Sequence, residues 1–233
     1  MDRPPGYAPF RQTIETVGDH QLPVVRRGPG GTPGKPLVVF AQPLFEELNR
    51  CRRLTADIGD ALAALGIESA CPDLPRTGNH ADGRPFDMEI AVAALNAFLA
   101  AHTDRRLLVL SLRGGALLVP PDEPHLAIAP VRRGERVLTD LKRTQQVGDA
   151  ERTGGAAKTE TKTRWAAGEA VHLAGYVVTA ATARALSAAR LDQNIGTDDE
   201  IAATMPPVWR QADPVRVRDA ARRIAALAQA RLS

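Results

Sequence analysis

The sequence predicts an α/β fold with a doubly wound, mostly parallel sheet. Four short apolar runs have the length of strands that are buried on both faces: residues 37–41, 67–71, 107–112 and 125–130. Segments with helical spacing of apolar residues separate these runs, so strands and helices alternate as they do in βαβ units. The chain has 233 residues, the length of one large domain, and 44% of them are apolar, which is enough for one sizeable core.

The segment before the first apolar run predicts a β-hairpin, because polar and apolar residues alternate over 13–27 around a Gly-Asp pair. A loop rich in Gly and Pro follows at 28–36. Between the first two apolar runs, Asn49 is the expected N-cap of a helix with its apolar residues on one face. Gly66 is the expected end of that helix.

The remaining elements are predicted from the same signals. Residues 87–101 have helical spacing, and a short apolar helix follows the Gly-rich turn after the third run. Downstream of the fourth run we expect a polar helix at 134–149 and a mobile low-complexity segment at 150–163. A strand at 170–178, a helix at 179–190 and an irregular stretch at 191–212 are expected to follow. The last helix is expected to start at Asp213-Pro214, with Val217, Ala221, Ile224 and Ala228 on one face.

Composition excludes several classes of protein. Two cysteines are too few for a disulfide scaffold or a Cys-rich zinc module. No cofactor and no metal are expected. The net charge of +3, with no Lys/Arg run longer than a pair, gives no nucleic-acid signal. No apolar stretch approaches the roughly 18–20 residues of a membrane span. The first ten residues lack the apolar region of a secretory signal, so a cytoplasmic location is expected.

The turn after the third run has the form of a nucleophile elbow. In α/β-hydrolases a G-x-S-x-G turn presents the nucleophile between a strand and a helix, and small residues flank it because the turn is tight. Aligning Gly115 with the last Gly places Arg113 at the nucleophile position and Ser111 at the first Gly. A guanidinium cannot attack a carbonyl, and no histidine follows His172, so a Ser-His-Asp mechanism is not expected.

Two weak catalytic candidates remain, Ser111 and Cys51. The thiol of Cys51 is expected in the first turn of a helix beside Arg50, Arg52 and Arg53, and both features lower a thiol pKa. Only His80 is a plausible base for it. The alternative is that Cys51 is a small, half-buried core residue, as Cys71 is expected to be.

Binding candidates cluster around the elbow. Arg113 is expected at a helix N-terminus, where a positive charge costs roughly 0.3–1 kcal/mol, so Glu46 or Glu47 is its expected partner. Such a pair serves either a structural role or ligand binding, and both stay open. Trp165 and Trp209 either stack on sugar rings or pack inside a lid. The other pocket candidates are Gln42, Asn49, Arg52, Arg53 and Asp73, the last at the carboxyl edge of the sheet.

The chain resembles the exosortase-A-system-associated hydrolases of the second type, which are α/β-hydrolase-like proteins associated with bacterial exopolysaccharide export. Residues 42–53 are similar to that family's His-Pro-Phe-Ala-Glu-Glu-Met-Asn-x-Ser-Arg-Arg segment, with Gln42 in place of the His and Cys51 in place of the Ser. Residues 72–80 are similar to its Asp-Leu-x-Gly-x-Gly-Asp-Ser loop, with Arg76 and Asn79 as departures. Further similarity lies in segments 111–118, 167–186 and 206–214, so the resemblance covers nearly the whole chain.

The resemblance implies a truncated α/β-hydrolase fold in a single domain, residues 1–233. Its core would be 13–130 and 170–233, and a lid insertion would lie at about 131–169. The 42–49 loop would supply the oxyanion hole. The stretch from Leu191 to Trp209 is expected to be too short for the strand that normally carries the triad acid.

Charge is unevenly distributed along the chain. Residues 131–190 carry 11 Lys and Arg against 6 Asp and Glu, whereas residues 37–130 carry 8 against 12. We therefore expect the insertion to dock on the core mainly through charge. The alternative is apolar packing around Trp165 and Tyr176, with the basic block facing a partner.

Two hypotheses for function follow. The first is a non-catalytic accessory protein of exopolysaccharide export that binds an anionic glycan-related ligand or a partner, such as a paralogous hydrolase, another exopolysaccharide-system protein or a second copy of the chain. The second is a weak or unconventional hydrolase of acyl or ester bonds, which depends on analogy at the level of the fold.

Overall fold

A seven-stranded sheet forms the centre of the computed structural model, which describes residues 10–77, 83–153, 160–191, 196–211 and 217–233. The strands lie in the order β1-β2-β4-β3-β5-β6-β9. They are β1 Phe10–Val17, β2 His20–Arg27, β3 Pro36–Ala41, β4 Glu68–Pro72, β5 Arg106–Leu112, β6 His125–Ile128 and β9 Gly196–Asp198.

The predicted hairpin is confirmed, since β1 and β2 pair antiparallel around the Gly-Asp turn. β2 also pairs antiparallel with β4, whereas β4, β3, β5, β6 and β9 run parallel to one another. The central strands β3 and β5 are apolar over most of their length, as expected for strands that are covered on both faces. The predicted doubly wound, mostly parallel sheet is therefore confirmed.

Helices cover both faces of the sheet. On one face α1 packs against α7. The other face packs against α2 and the elements between β6 and β9. The helices are α1 Glu46–Ala64, α2 Met88–Ala100, α3 Glu135–Thr153, α4 Glu160–Ala166, α5 Ala180–Ala188, α6 Asp199–Thr204 and α7 Arg218–Leu232, with short 3₁₀ helices at Arg113–Leu118 and Val208–Arg210.

The start of α1 corrects the predicted N-cap. The helix begins at Glu46, and Asn49 is an exposed residue of its first turn rather than the cap. Phe45 holds the cap position with a positive φ of 55° and no side-chain hydrogen bond to the helix. The carboxylates of Glu46 and Glu47 in the first turn interact favourably with the helix dipole, so a side-chain cap is not required there.

Strand β9 corrects the prediction for residues 191–212. That stretch was expected to be irregular and too short for another strand, yet Gly196–Asp198 pairs parallel with β6, with Ile128 opposite Asp198. Three residues are too few for a hydrophobic period, so this strand has no local signal in the sequence. The chain therefore has the next parallel strand of the sheet, and two aspartates follow one another where β9 ends.

The segment between β6 and β9, residues 131–191, corrects the predicted mode of docking. It contains α3, α4, α5 and a hairpin of β7 Val171–Leu173 and β8 Tyr176–Val178. Its apolar side chains belong to the same core cluster as β3 and α2: Val131, Leu138, Leu141, Val171, Leu173, Val178, Ala183, Leu186 and Leu191. Burial of this many apolar side chains outweighs surface charge, so apolar packing holds the segment and docking mainly through charge is wrong.

Two predicted stretches lie partly or wholly outside the described residues. The low-complexity segment 150–163 is helical at both ends, and its centre, 154–159, is outside. Asp213-Pro214, the expected start of the last helix, is also outside. The predicted apolar face of α7, residues 217, 221, 224 and 228, is buried as expected. Among the described residues, no helix is both long and apolar enough to cross a membrane.

At the amino ends of the parallel strands lies an ion-pair network centred on the buried Glu68, which we call the amino-end network: Arg11, Glu15, Arg26, Glu68 and Arg105. Glu68 is only 4% exposed and accepts from Arg11 at 2.9 Å, Arg26 at 3.4 Å and Arg105 at 3.1 Å. Arg26 also binds Glu15 through two nitrogens, at 2.7 and 2.8 Å. Burial alone would raise the pKa of Glu15, but the hydrogen bonds and charge of Arg26 outweigh it and lower that pKa.

Candidate functional site

The turn at the end of β5 keeps the geometry of a nucleophile elbow. Arg113 follows the last strand residue, has a positive φ of 53° and opens the 3₁₀ helix Arg113–Leu118. A Cβ on Gly115 would lie 2.2 Å from the carbonyl oxygen of Ala41, so only glycine fits there. The close approach of β3 and the strained backbone at the nucleophile position are therefore both present, with arginine in place of a nucleophile.

The side chain of Arg113 is held on three sides. It binds Glu47 through Nη2 at 2.9 Å and Nε at 3.1 Å, and its Nη1 donates to the Ala129 carbonyl at 3.1 Å. The guanidinium carbon lies 4.8 Å from the centre of the Trp209 ring, within the range of a cation–π contact. The expected contact with Glu46 or Glu47 is thus confirmed for Glu47, and it offsets the cost of a cation at this turn.

Glu46 contacts other residues than Arg113. Its Oε2 accepts from the Tyr176 hydroxyl at 3.3 Å and from the Asn49 amide at 3.2 Å. Burial, followed by the charge of Glu46, raises the pKa of Tyr176 to about 12. Tyr176 also packs edge-on against Phe45, with ring centres 5.2 Å apart. These contacts attach the β7–β8 hairpin to the loop after β3.

A cleft of about 350 Å³ opens beside the elbow. We call it the elbow cleft. Its lining includes Arg113 and Glu47 at the elbow, residues of α3, and Trp209 and Arg210. Its apolar lining includes Leu44, Phe45, Val131, Val137 and Leu141, so the cleft is half apolar.

Cations outnumber carboxylates in the elbow cleft. Five arginines line it, at positions 50, 113, 136, 143 and 210, against Glu46, Glu47 and Asp140. Arg136 and Arg143 share Asp140, at 3.2 and 4.0 Å. Arg210 is exposed and forms no ion pair with a described side chain. This arrangement favours an anion, since donors remain after the carboxylates are paired.

The predicted pocket residues do not form one site. Arg113, Glu46 and Glu47 line the elbow cleft. Asn49 lines a separate cavity beside Tyr176. A third cavity, of about 180 Å³, is lined by Gln42, Arg52 and Asp73. Arg53 lines none of these three cavities.

Within the third cavity, Gln42 donates to the Asp73 carboxylate at 3.2 Å. The amide stands where the resemblance has a histidine, and an amide cannot serve as a base. Cys71 is half-buried in the same cavity, where burial raises its pKa. Gln42 and Asp73 are therefore hydrogen-bonded to each other, and the Cys71 thiol is not activated.

Of the two alternatives for Cys51, a reactive thiol and a core residue, the structure supports the core residue. It is fully buried, and burial raises its pKa to about 12. The negative charge of Glu47 adds to that rise, and the opposing charges of Arg113 and Arg50 are weaker. The thiol faces the core, so the desolvation of the thiolate outweighs the charges of the neighbouring arginines. His80, its expected base, and Asn79 lie outside the described residues.

Ser111 lies inside the sheet, where its Oγ is 2.6 Å from Nε2 of His125. Ser111 is fully buried and His125 is 5% exposed, and Nδ1 of His125 has no hydrogen-bond partner. Burial, followed by the charge of Arg231, lowers the pKa of His125 to about 4. At neutral pH this histidine is uncharged, and no third side chain among the described residues orients it as an acid does in a triad.

The elbow cleft also contains residues that were not predicted, namely Arg50, Arg136, Arg143 and Arg210. Arg136, Asp140 and Arg143 recur at i, i+4 and i+7 on α3, a spacing that places them on one helix face. That spacing was visible in the sequence. Trp209 was a candidate for sugar stacking or lid packing. Its contact with Arg113 joins positions 96 residues apart, so no local sequence pattern predicts that contact.

Neither the elbow cleft nor the other cavities offer a set of metal ligands. Among the described residues, no group of three His, Cys, Asp or Glu side chains could hold a metal ion. The described lining of the elbow cleft also lacks Ser, Cys and His. Its chemistry is that of charge pairing and apolar contact.

Comparison with known proteins shows the fold. No protein-family model and no curated protein matches the chain. A candidate hydrolase from Agrobacterium vitis S4 is similar in structure, with a TM-score of 0.55 and 13% identity over 97% of this chain and 100% of that one. An α/β serine hydrolase homologue from Coxiella burnetii has a TM-score of 0.41 and 18% identity over 52% of this chain and 62% of its own.

A lidless α/β serine hydrolase from Xanthomonas campestris has a TM-score of 0.40 and 21% identity, over 54% of this chain and 62% of its own. Together with the strand order, the first similarity shows that the chain has the α/β-hydrolase fold.

Proposed function

We propose that this chain is a non-catalytic α/β-hydrolase-like protein that binds an anionic ligand with an apolar portion in the elbow cleft. The observation that carries the proposal is Arg113 at the nucleophile position, paired with Glu47 and stacked on Trp209. A protonated guanidinium has no lone pair with which to attack a carbonyl, so the residue at this position cannot form an acyl intermediate.

The ligand class follows from the remaining lining. Arg143 is 63% exposed and Arg136 49% exposed, so both can turn towards an anion in the cleft. Arg210 adds a third guanidinium at the end of the cleft. Carboxylate and phosphate groups match the guanidinium fork, and the apolar wall from Leu44 to Leu141 suits a hydrocarbon or a ring face.

Binding is tested with octyl phosphate and octanoate as probes, and with octyl glucoside as a neutral probe of similar chain length. We expect both anions to bind in calorimetry and the neutral probe to bind at least about tenfold more weakly. The variant R143Q/R210Q should lose the preference for anions. The control K35Q/R222Q removes two exposed cations outside the cleft and should retain it. Equal loss in both variants would contradict a localised site.

The non-catalytic part is tested by labelling with a fluorophosphonate and by a panel of short p-nitrophenyl esters. We expect no labelling and no hydrolysis above background. Activity that disappears in Ser111→Ala or Cys51→Ala would contradict this part while leaving the binding result intact.

A weak acyl or ester hydrolase is the second candidate, and the hydrogen bond between Ser111 and His125 favours it. Two aspartates follow one another at the end of β9, and in this fold the acid of the catalytic triad comes after the nucleophile, at the end of a later strand. Against this candidate stand the complete burial of Ser111 and the pKa of His125 at about 4. Stoichiometric labelling at Ser111 would establish it.

The proposal includes a partner: a protein of a bacterial exopolysaccharide export system. It is supported by the similarity of residues 42–53 and 167–186 to the exosortase-associated hydrolases. The observation that tests it is the identity of the neighbouring genes, which should encode export or polymerisation proteins. Co-purification with a paralogous hydrolase from such a cluster would then identify the partner.

A further inference from the structure

A different side of α3 from the one that lines the elbow cleft forms part of a second groove. We call it the basic groove, and it lies between α3, α4 and α5 with a volume of about 900 Å³. Glu135, Leu138, Thr139 and Lys142 face it from α3, at positions that share one side of the helix. Arg136, Asp140 and Arg143 face the elbow cleft instead, so α3 separates two distinct surfaces.

One cation projects into the basic groove from each of its helices: Lys142 from α3, Lys162 from α4 and Arg184 from α5. None of the three forms an ion pair with a described side chain, and Lys162 and Arg184 are exposed. Lys142 lies over the Trp165 ring, with Nζ 4.8 Å from its centre. A cation–π contact leaves the ammonium donors available to a ligand.

The described lining holds a single carboxylate, Glu135, and it is engaged elsewhere. Its Oε1 accepts from Arg190 at 3.4 Å. Burial lowers the pKa of Lys142, and the positive charge of Lys162 lowers it further. The cations of the groove therefore repel one another, and an anion bound between them would relieve that repulsion.

The floor of the groove is apolar. Leu138 and Ala183 are buried at its base, and Trp165 and Ala188 line its walls. The segment is held by apolar packing, so its excess of basic residues is not needed for docking on the core. Cationic walls above an apolar floor between helices match an amphipathic helix with an acidic face.

We propose that the basic groove docks an acidic amphipathic helix of a partner protein. The apolar face of that helix lies on Trp165, Ala166 and Ala188, above the buried Leu138, and its carboxylates lie between Lys142, Lys162 and Arg184. This surface is independent of the elbow cleft and does not depend on ligand binding there.

The probe for this proposal is a labelled 16-residue peptide that has Leu at i, i+3, i+4 and i+7 and Glu at the other positions. Fluorescence anisotropy with the full chain should show binding that weakens with added salt. A peptide of the same composition in scrambled order, and one with Lys in place of Glu, should both bind at least about tenfold more weakly.

Charge reversal locates the site. K142E/K162E should lower the affinity at least about tenfold, whereas K35E/R222E, with the same change in net charge at exposed positions elsewhere, should change it less than about twofold. K162E/R184E leaves the contact between Lys142 and Trp165 in place and should also lower affinity, so a folding defect at Trp165 cannot explain the result.

Equal weakening by K35E/R222E would overturn the proposal, because binding would then reflect overall charge. Unchanged affinity in K142E/K162E would overturn it as well. Vesicles containing phosphatidylserine and a DNA duplex complete the test. Binding of either through Lys142 and Lys162, with no binding of the acidic peptide, would assign the groove to a membrane or a nucleic acid instead.

Discussion

The two ends of the central sheet use arginine in opposite ways. In the amino-end network, Arg26 is 11% and Arg105 6% exposed, and their donors are directed at carboxylates and at the Lys35 and Pro36 carbonyls. In the elbow cleft only Arg113 is enclosed to a similar degree; Arg136 and Arg143 share one carboxylate and are about half exposed or more, and Arg210 is exposed with no ion pair to a described side chain. Arginine content alone therefore does not identify a binding site. What distinguishes the two ends is whether donors remain after the protein's own acceptors have been used.

The largest change in stability should follow when a carboxylate is neutralised in the amino-end network. Glu68→Gln leaves three arginines around a buried neutral amide, and we expect a loss of about 3–5 kcal/mol in the free energy of unfolding, measured in urea. Asp19→Asn, an exposed control, should change it by less than about 0.5 kcal/mol. A loss below about 1 kcal/mol for Glu68→Gln would mean that water screens the amino-end network. The arginines at the two ends of the sheet would then not differ in their contribution to stability.

Between the two ends, the pair Ser111–His125 should make stability depend on pH. Its histidine has a pKa of about 4 in the folded chain and about 6.5 when unfolded, so only the unfolded chain takes up its proton in this window. Stability is therefore lost as pH falls from about 6.5 to 4, by up to about 3 kcal/mol.

Urea titrations at several pH values, compared with S111A/H125L, measure this loss. The double variant removes both polar partners together, which avoids leaving one of them unpaired. Its stability should fall less steeply below pH 6.5. Parallel curves for the two proteins would show that the histidine is accessible to protons in the folded state.

At the elbow, Arg113→Ala should cost about 1–2 kcal/mol, less than Glu68→Gln, because Glu47 is 27% exposed and stays solvated when its partner is removed. Arg113→Gly removes the same contacts but accepts the positive φ. It should therefore be more stable than the alanine variant, by about 1 kcal/mol. Equal stability of the two variants would show that the elbow stores no backbone strain.

These contrasts also show what the sequence could predict. Apolar runs and helical periods predicted the parallel strands β3 to β6, and the Gly-Gly pair after Arg113 predicted the elbow, because both depend on local residue patterns. The contact with Glu47 followed from the cost of a cation at a helix start. Strand β9 was missed because three residues carry no period. The sequence left both a reactive and a core Cys51 open, because burial depends on packing across the chain, which sequence neighbours do not report.

The smallest effect should come from salt on the segment 131–191, and it separates charge from packing as the force that holds this segment. Its ion pairs Arg136–Asp140, Arg164–Glu169 and Arg190–Glu135 join its own residues and are mostly exposed, so each contributes little. Its attachment to the core is made by buried apolar side chains, which salt does not screen.

Hydrogen exchange of amides in β7, β8 and α5, followed at about 0.05 and 0.5 M salt, should therefore show equal protection, within the few tenths of a kcal/mol that exposed pairs contribute. Leu138→Ala, which removes an apolar contact without changing charge, should lower protection at both salt concentrations alike. A marked loss of protection at high salt in the unmodified chain would return the basic residues of this segment to a docking role. The cations of the basic groove would then be needed by the fold itself and would not be free for a partner.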